Sequence, residues 1–375
     1  MRFLILLLCV LVPFSVSANH PPPPPLAASA WVLVDHTTGK ALVSHNADER
    51  IEPASLTKLM TAYVTFVALK EGTLELSEQV QVSEKAWRMT GSRTFIEPNR
   101  PVTAEELIYG MIVQSGNDAS VALAERIAGS EEAFVHLMNQ QAERLGMRNT
   151  SFSNASGLPD PQLYTTANDL ALLAVALIRD FPEMYRLYSE KEYTYNGITQ
   201  PNRNRLLSLD PTVDGMKTGY TKAAGYCLVS SAVRGPRRLI SIVLGTASEN
   251  ARAQESLKLL NYGFKFFDTL RLYKGGEAIS SFRVWKGQTD LVEVGFLEDF
   301  VTSMPKGEAD RIEASLESRQ PVLAPLTRGE EIGTLILTVD GEELGKYPVV
   351  ALNDVEQAGF FRRFWDALIL WFKSL

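Results

Sequence analysis

The order in which strand-like and helical patterns follow each other is the feature that most restricts the fold of this chain. Two strand-like runs at residues 31–34 and 41–44 precede a long helical stretch between about residues 53 and 186. Apolar residues recur there at three- and four-residue intervals, which predicts helices at residues 105–113, 119–127, 131–145 and 167–178. Three strands and a helix follow, at residues 216–220, 226–232, 239–244 and 251–267. Strands on both sides of a helical block predict an α+β domain at residues 26–268, with an antiparallel sheet flanked by helices.

The pattern changes after about residue 269. Short alternating runs, separated by Gly, Pro and charged turns, occupy residues 281–285, 291–294, 312–316, 333–339 and 347–352. Such alternation is typical of strands. We therefore expect a small all-β domain at residues 269–353, followed by a separate C-terminal segment at residues 354–375.

The first 18 residues have the composition of a secretory signal peptide. Arg2 supplies the positive charge, residues 3–12 are apolar, and Val16-Ser17-Ala18 form a small-residue cleavage site. The alternative is a membrane-spanning anchor, but the apolar run is too short to cross a bilayer. Residues 19–25 include five consecutive prolines and predict an extended linker that does not pack.

Charge and cysteine content exclude other classes of protein. The net charge is −7, and phosphate binding needs a basic face, so no nucleic-acid partner is expected. Removal of the signal peptide takes away Cys9 and leaves Cys227 as the remaining thiol, so no internal disulfide is expected. Cys227 lies in an apolar run and is interpreted as a small buried strand residue.

The number and spacing of the histidines limit the kinds of metal site and catalytic base that are expected. None of the four histidines is paired with another at metal-ligand spacing, and Cys227 has no partner thiol. No metal site and no cofactor are therefore expected. An enzyme built on this chain is expected to use a base other than histidine, and lysine is the natural substitute.

The segment Ser55-Leu56-Thr57-Lys58 follows Pro53 at the predicted start of a helix over residues 55–67. Residues three apart share a helix face, so the Lys58 amine can reach the Ser55 hydroxyl. The helix N-terminus favours negative charge that develops on the serine oxygen. A lysine buried among apolar neighbours loses its proton readily and can act as general base. The four-residue pattern is weak when it stands alone.

Two further elements give the pattern its specificity. Ser115-Gly116-Asn117 falls between two predicted helices, where a tight turn can aim a hydroxyl and an amide into a cleft. Lys217-Thr218-Gly219 lies on a predicted strand, and its glycine is expected to let a substrate backbone approach the sheet edge. Ser248-Glu249-Asn250 has the same form as the first element, so the ordered set of three is the informative signal.

At this point the sequence resembles the low-molecular-mass penicillin-binding proteins of the serine-type D-alanyl-D-alanine carboxypeptidase family. The resemblance covers nearly the whole chain after the signal peptide, including residues 195–198, 202–204 and 213–219. It implies a peptidoglycan stem peptide ending in D-Ala-D-Ala as substrate. It also implies that β-lactam antibiotics acylate Ser55.

The resemblance further implies roles for the motif residues. Ser55 would attack the peptide carbonyl, and Lys58 would accept its proton. Ser115 and Lys217 would relay a proton to the departing D-alanine, while Asn117 would hold the substrate amide. Which of Lys58 and Ser115 is the working base at each step stays open.

The remaining implied roles concern substrate binding beside Gly219. The backbone N–H groups of Ser55 and Tyr220 would form the oxyanion hole. Thr218 and Arg252 would bind the terminal carboxylate, for which a planar guanidinium is well suited. One departure stands out, because many relatives have histidine where this chain has Tyr220.

The C-terminal segment is expected to lie on a membrane surface. Its charged residues fall largely on one side of a helix, and its longest uncharged stretch is too short to span a bilayer. The alternative is a helix docked on the protein itself. With the signal peptide, this segment predicts a peripheral protein on the periplasmic face of a bacterial inner membrane. Its apolar residues recur at helical spacing: Phe360, Phe361, Phe364, Trp365, Leu368, Trp371, Phe372 and Leu375.

Three alternative functions share parts of the pattern. A β-lactamase has the same motifs, but such enzymes lack a second domain and a C-terminal anchor. A D,D-endopeptidase would use the same residues on cross-linked peptides. A non-enzymatic wall-binding module would keep its function after Ser55→Ala.

Overall fold

The computed structural model describes residues 21–373, so the predicted signal peptide lies outside the described residues. Residues 21–25 have no regular secondary structure, as expected of a proline-rich segment. They do contact the protein, however, because the Pro21 carbonyl oxygen accepts a hydrogen bond of 2.8 Å from the Tyr262 hydroxyl. The prediction that this segment does not pack was therefore wrong at Pro21.

The strands form the predicted central sheet, two separate two-stranded sheets and a second group near the C-terminus. In chain order they are β1 (Ala30–Asp35), β2 (Ala41–His45), β3 (Gln79–Val80), β4 (Val102–Thr103), β5 (Glu192–Tyr195), β6 (Ile198–Pro201), β7 (Val213–Thr221), β8 (Gly225–Arg234), β9 (Arg237–Thr246), β10 (Phe267–Tyr273), β11 (Ser280–Trp285), β12 (Leu291–Gly295), β13 (Phe300–Pro305), β14 (Ile312–Ser318), β15 (Val322–Leu323), β16 (Glu331–Val339) and β17 (Glu342–Ala351). The two separate sheets pair β3 with β4 and β5 with β6.

The helices follow the predicted apolar periodicity closely, with short helices added between the long ones. They are α1 (Lys58–Lys70), α2 (Glu84–Trp87), α3 (Ala104–Val113), α4 (Asn117–Ala128), α5 (Glu131–Arg144), α6 (Ala167–Asp180), α7 (Pro182–Tyr185), α8 (Leu206–Leu209), α9 (Glu249–Phe266) and α10 (Phe360–Lys373).

The central sheet has the strand order β2-β1-β9-β8-β7, and each neighbouring pair is antiparallel. Successive residues of a strand point to opposite faces. On β1, Val32 and Val34 pack into the core formed with α1 and α3–α6, whereas Trp31 and Leu33 pack towards α9. The sheet is therefore buried on both faces, which confirms the predicted α+β arrangement of a sheet flanked by helices.

Cys227 on β8 lies inside this layered core. It is fully buried, as predicted, and burial raises the pKa of its thiol to about 11. A thiol with that pKa is protonated at neutral pH, so it is a poor nucleophile.

The predicted all-β domain contains strands that the sequence pattern did not reveal. One sheet has the order β14-β16-β17-β12-β11-β15, and β10 pairs with β13 in a separate two-stranded sheet. Both β10 and β13 were missed, because buried and more exposed positions do not alternate regularly along them. The strand β10 starts at Phe267, directly after α9, where the sequence pattern predicted the last helical residue.

The C-terminal helix α10 lies beside the all-β domain. The Asp366 carboxylate accepts a hydrogen bond of 2.5 Å from the backbone N–H of Lys286, and Arg362 pairs with Asp290 at 2.5 Å. The aromatic side chains of α10 remain exposed; Phe361, for example, is 79% exposed. None of the helices in the described part of the chain has the length and apolarity needed to cross a membrane.

Candidate active site

Ser55 lies in a tight turn just before α1. Pro53 precedes a short 3-10 turn, Ala54–Thr57, and the α-helix begins only at Lys58. The prediction that the α-helix starts at Ser55 was therefore wrong by one turn. A 3-10 turn has three residues per turn, so side chains three positions apart eclipse each other. The Lys58 Nζ accordingly lies 3.3 Å from the Ser55 Oγ.

Lys58 is buried, and its amine is surrounded by acceptors. The side chain is 1% exposed, and Nζ also donates to Asn117 Oδ1 at 2.7 Å and to the Ser156 carbonyl oxygen at 2.5 Å. Burial lowers the pKa of Lys58 from 10.5 to about 7, although the nearby Asp118 carboxylate opposes the shift. Near neutral pH a large fraction of such an amine is unprotonated. Lys58 can therefore take up the proton of the Ser55 hydroxyl.

Ser115 occupies the short connection between α3 and α4, where the sequence predicted it. Its φ of 64° is in the left-handed region, which a serine keeps only where its surroundings hold it. The next residue must be small, because a Cβ on Gly116 would lie 2.2 Å from the Thr94 Oγ1. The buried Asp118 carboxylate accepts from the backbone N–H groups of Thr94 and Phe95, both at 2.8 Å. These contacts hold the turn at Ser115 against the loop that contains Thr94 and Phe95.

Lys217 extends from β7 to the Ser115 turn. Its Nζ donates to the Ser115 Oγ at 2.8 Å. Burial and, second, the charge of Lys58 lower the pKa of Lys217 well below its usual 10.5. The hydroxyls of Ser55 and Ser115 therefore each contact a lysine amine whose pKa is lowered by burial.

Gly219 allows β7 to pack against the turn that carries Ser55. A Cβ at this position would lie 3.1 Å from the Pro53 carbonyl oxygen and 3.2 Å from the Leu56 Cγ. The sequence had suggested that this glycine makes room for substrate. The absence of a side chain brings Thr218 and Tyr220 close to the Ala54–Thr57 turn, and Gly219 itself also lines the cavity beside Ser55.

The predicted residues converge on one cavity of about 180 Å³. Three further residues, Lys58, Asn117 and Lys217, do not line the cavity directly. The two lysine amines contact the hydroxyls of Ser55 and Ser115, which do line it, and Asn117 contacts the Lys58 amine. The cavity is lined by Ser55, Ser92, Ser115, Arg203, Thr218, Gly219, Tyr220, Tyr226, Glu249 and Arg252.

Asn117 holds Lys58 in place. Its Oδ1 accepts from the Lys58 amine, and its Nδ2 donates to the Thr90 carbonyl oxygen at 2.6 Å. Both ends of the carboxamide thus have protein partners. Each end keeps capacity for one more hydrogen bond, because the amide oxygen has two lone pairs and the nitrogen two hydrogens.

Arg252 reaches the cavity from the first turns of α9. It is 4% exposed, and its Nη1 lies 3.4 Å from the Gly219 carbonyl oxygen. Its Nη2 lies 3.4 Å from the carbonyl oxygen of Arg203, which brings a second guanidinium to the same cavity. Burial lowers the pKa of Arg252 below its usual value, and the Glu249 carboxylate opposes the shift. The cavity therefore has a cationic end that suits a carboxylate ligand.

Sequence reasoning did not assign several residues of this site. Arg203 was noted only as part of a segment, Glu249 only within the motif-like Ser248-Glu249-Asn250, and Tyr226 carried no motif signal. Ser156 could not be found from its side chain, because it contributes its backbone carbonyl oxygen.

Two family models together match most of the chain. The D-alanyl-D-alanine carboxypeptidase model (peptidase S11) matches residues 16–248, and the penicillin-binding protein 5 C-terminal domain model matches residues 267–357. The chain is 44% identical over 363 residues to the D-alanyl-D-alanine carboxypeptidase DacC of Escherichia coli K12. That match covers 94% of this chain and 91% of the relative.

Solved structures agree with this assignment. Penicillin-binding protein 5 from Haemophilus influenzae has a TM-score of 0.87 and 41% identity, covering 90% of this chain and 100% of that chain. Penicillin-binding protein D2 from Listeria monocytogenes, in its ampicillin-bound form, has a TM-score of 0.60 and 34% identity. It covers 65% of this chain and 100% of that chain. The resemblance inferred from the motifs is confirmed, and the protein belongs to the D-alanyl-D-alanine carboxypeptidase family.

Proposed function

We propose that this protein removes the terminal D-alanine from peptidoglycan pentapeptides through an acyl-enzyme on Ser55. The observation that carries the proposal is the 3.3 Å contact between the Lys58 Nζ and the Ser55 Oγ. The low pKa of Lys58, about 7, makes that contact suitable for proton transfer.

In the first step, the Ser55 Oγ attacks the carbonyl carbon of the penultimate D-alanine while Lys58 takes the hydroxyl proton. The backbone N–H groups of Ser55 and Tyr220 stabilise the oxyanion. The C–N bond then breaks and D-alanine leaves as an amine, after it receives a proton through Ser115 and Lys217. The 2.8 Å bond between these two side chains supports this route.

In the second step, water attacks the ester on Ser55. One proton of the water passes to the working base, Lys58 or Ser115, the C–O bond of the ester breaks, and the base returns that proton to the Ser55 oxygen. The shortened peptide leaves with a new carboxylate. The enzyme then returns to its starting state. Water is the co-reactant that balances the atoms and protons of the two steps, and neither step needs a metal or cofactor.

The substrate carboxylate is assigned to the cationic end of the cavity. Thr218 and Arg252 both line it, and Arg252 is held there by its contact with the Gly219 carbonyl. β-Lactams present a carboxylate beside a reactive amide, so they fit the same site and acylate Ser55. The ampicillin-bound form of the Listeria relative supports this part of the proposal.

Intact-protein mass spectrometry after incubation with penicillin tests the nucleophile. A stoichiometric adduct on Ser55 is expected in the wild-type protein and not in Ser55→Ala. Peptide mapping that places the adduct elsewhere, or finds none, contradicts the proposal.

Release of D-alanine from a synthetic pentapeptide tests the reaction. The proposal predicts D-alanine release that Ser55→Ala abolishes. Rapid turnover of penicillin without D-alanine release would instead identify a β-lactamase. Cleavage confined to cross-linked peptide dimers would identify a D,D-endopeptidase.

In this proposal the protein works at the periplasmic face of the inner membrane. Residues 1–18 direct export and are removed, residues 26–268 catalyse, and residues 354–375, which follow the β-rich domain at residues 269–353, attach to the bilayer. The support for attachment is the set of exposed aromatic side chains on α10, since Phe361 is 79% and Phe364 is 56% exposed. Aromatic residues on one side of a helix suit the membrane interface.

Flotation with vesicles of phosphatidylethanolamine and phosphatidylglycerol tests the attachment. The mature protein is expected to float with the vesicles, and the double variant Phe361→Ser, Phe364→Ser is expected to stay in the soluble fraction. Leu172→Ser is the matched control, because Leu172 is 43% exposed on α6, far along the chain from the tail. Equal flotation of all three proteins contradicts attachment through α10.

A further inference from the structure

Tyr220 is an exposed aromatic residue at the mouth of the active-site cavity. Most of β7 is buried, but Tyr220 is 53% exposed. Side chains two apart on a strand share a face, so Tyr220 and Thr218 project from the same side of β7. Both line the cavity that contains Ser55.

Tyr226 on β8 supports Tyr220 from the neighbouring strand. The two residues are directly opposite in the antiparallel register, and their ring centroids are 4.3 Å apart at an interplanar angle of 33°. The Arg252 guanidinium lies 5.6 Å from the Tyr226 ring centroid. We call the two rings of Tyr220 and Tyr226 the aromatic shelf. It lies at the end of the cavity assigned to the substrate carboxylate.

We propose that the aromatic shelf is the binding subsite for the side chain of the departing C-terminal D-residue, and that it favours planar side chains. The inference rests on the proposed function, in which Thr218 and Arg252 hold the carboxylate of that residue. The enzyme would then release D-phenylalanine as well as D-alanine from stem peptides.

Distance supports this assignment. Residues two apart on a strand are separated by about 7 Å, so the Tyr220 ring lies within reach of a side chain attached next to a carboxylate at Thr218. The methyl group of D-alanine is too short to cover the shelf, whereas a benzyl group can extend over it. Offset or tilted aromatic pairs add roughly 0.5 to 1.5 kcal/mol beyond area burial, a factor of about two to ten.

Rigidity also supports the assignment. Tyr226 is partly buried and is held between Tyr220 and the buried Arg252, so the shelf does not have to be ordered when ligand binds. A binding surface that is ordered before the ligand arrives loses less entropy on binding.

The experiment compares two synthetic pentapeptides that differ only in their last residue, D-alanine or D-phenylalanine. The measured quantity is the ratio of kcat/KM for D-phenylalanine release to that for D-alanine release. We expect Tyr220→Ala and Tyr226→Ala each to lower this ratio about two- to tenfold, and Tyr220→Phe to keep it. A third peptide ends in D-leucine, whose side chain is apolar but not planar. The ratio of kcat/KM for D-leucine release to that for D-alanine release should change less in Tyr220→Ala and Tyr226→Ala.

Leu209→Ala is the matched control, because Leu209 is 52% exposed and does not line the cavity. Its ratio should equal that of the wild type. The inference is overturned if the wild type releases D-alanine but not D-phenylalanine, or if Tyr220→Ala lowers both rates in proportion. If the wild type releases neither residue, the proposed function fails and the shelf assignment fails with it.

Discussion

The amine of Lys58 lies 2.5 Å from the backbone carbonyl oxygen of Ser156, 98 positions further along the chain. This bond ties the proposed base to a loop that contributes no side chain to the cavity. The loop is fixed in turn by the Asn154 Oδ1, which accepts from the backbone N–H groups of Ser156 and Gly157. The orientation of the base is therefore set from outside the cavity.

The rate at which penicillin acylates Ser55 should depend on the protonation of Lys58. The pKa of Lys58 is lowered to about 7 by burial, and its neutral form is the proposed base. The rate should rise about tenfold per pH unit below this pKa and level off above it. Stopped-flow acylation between about pH 5 and pH 9 measures the profile. A flat profile across that range contradicts the assignment of Lys58 as base.

Lys58→Arg is the companion variant for that measurement. An arginine keeps its proton at all accessible pH values, so the variant has a cation but no base. Acylation should slow by about a hundredfold or more, and the pH dependence around 7 should disappear.

Lys217→Met should impair acylation because it removes the partner of the Ser115 hydroxyl. The Lys217 Nζ is 2.8 Å from the Ser115 Oγ, and positioned proton transfer contributes about a hundredfold or more. The second-order acylation rate constant measures the loss. Lys222→Met removes an exposed lysine just beyond Tyr220 and should leave the rate within about twofold of wild type. Equal losses of acylation rate in Lys217→Met and Lys222→Met would contradict the proposed role of Lys217 in proton transfer.

Gly157→Ala should destabilise the protein more than Gly129→Ala. Both glycines have φ near +80°, so an alanine at either position is strained by about 1 to 2 kcal/mol. At Gly157 the new Cβ would also lie 1.8 Å from the Ala54 carbonyl oxygen, whereas at Gly129 it meets nothing within 4 Å. Overpacking adds roughly 1 to 3 kcal/mol at Gly157, measured as the difference in free energy of unfolding in urea. Equal losses at the two sites contradict this account.

Glu131→Ala should loosen the Ser156 loop, whereas Glu131→Gln should largely preserve it. The Glu131 Oε1 accepts from the buried backbone N–H of Ala155 at 3.0 Å. Alanine leaves that donor without a partner, at a cost of about 1 to 3 kcal/mol, while glutamine keeps an acceptor in place. Urea unfolding measures the stability, and acylation kinetics should show a slower rate for Glu131→Ala. A glutamine variant as unstable as the alanine variant would assign the effect to charge, through the 3.0 Å ion pair with Lys85.

Local patterns predicted most of the elements that carry the site. The apolar runs of β8 and β9 and the three- and four-residue periodicity of α3 to α6 identify strands and helices without tertiary information. The strands β10 and β13, which pair with each other, were missed because buried and more exposed positions do not alternate regularly along either strand. A strand is recognised in sequence by regular alternation when one face is buried, or by a continuous apolar run when both faces are buried, as in β8 and β9.

The contact between Ser55 and Lys58 was determined by the sequence itself, because three-residue spacing on a helical turn brings the two side chains together whatever the rest of the chain does. The contact between Lys217 and Ser115, which are 102 positions apart, was decided only by the tertiary fold that places β7 beside the connection between α3 and α4. Tertiary structure alone also brought the Ser156 carbonyl to the Lys58 amine, since a backbone acceptor leaves no side-chain signature. Short-range geometry follows from the spacing of residues, whereas the burial that lowers the pKa of both lysines arises only when distant segments exclude water together.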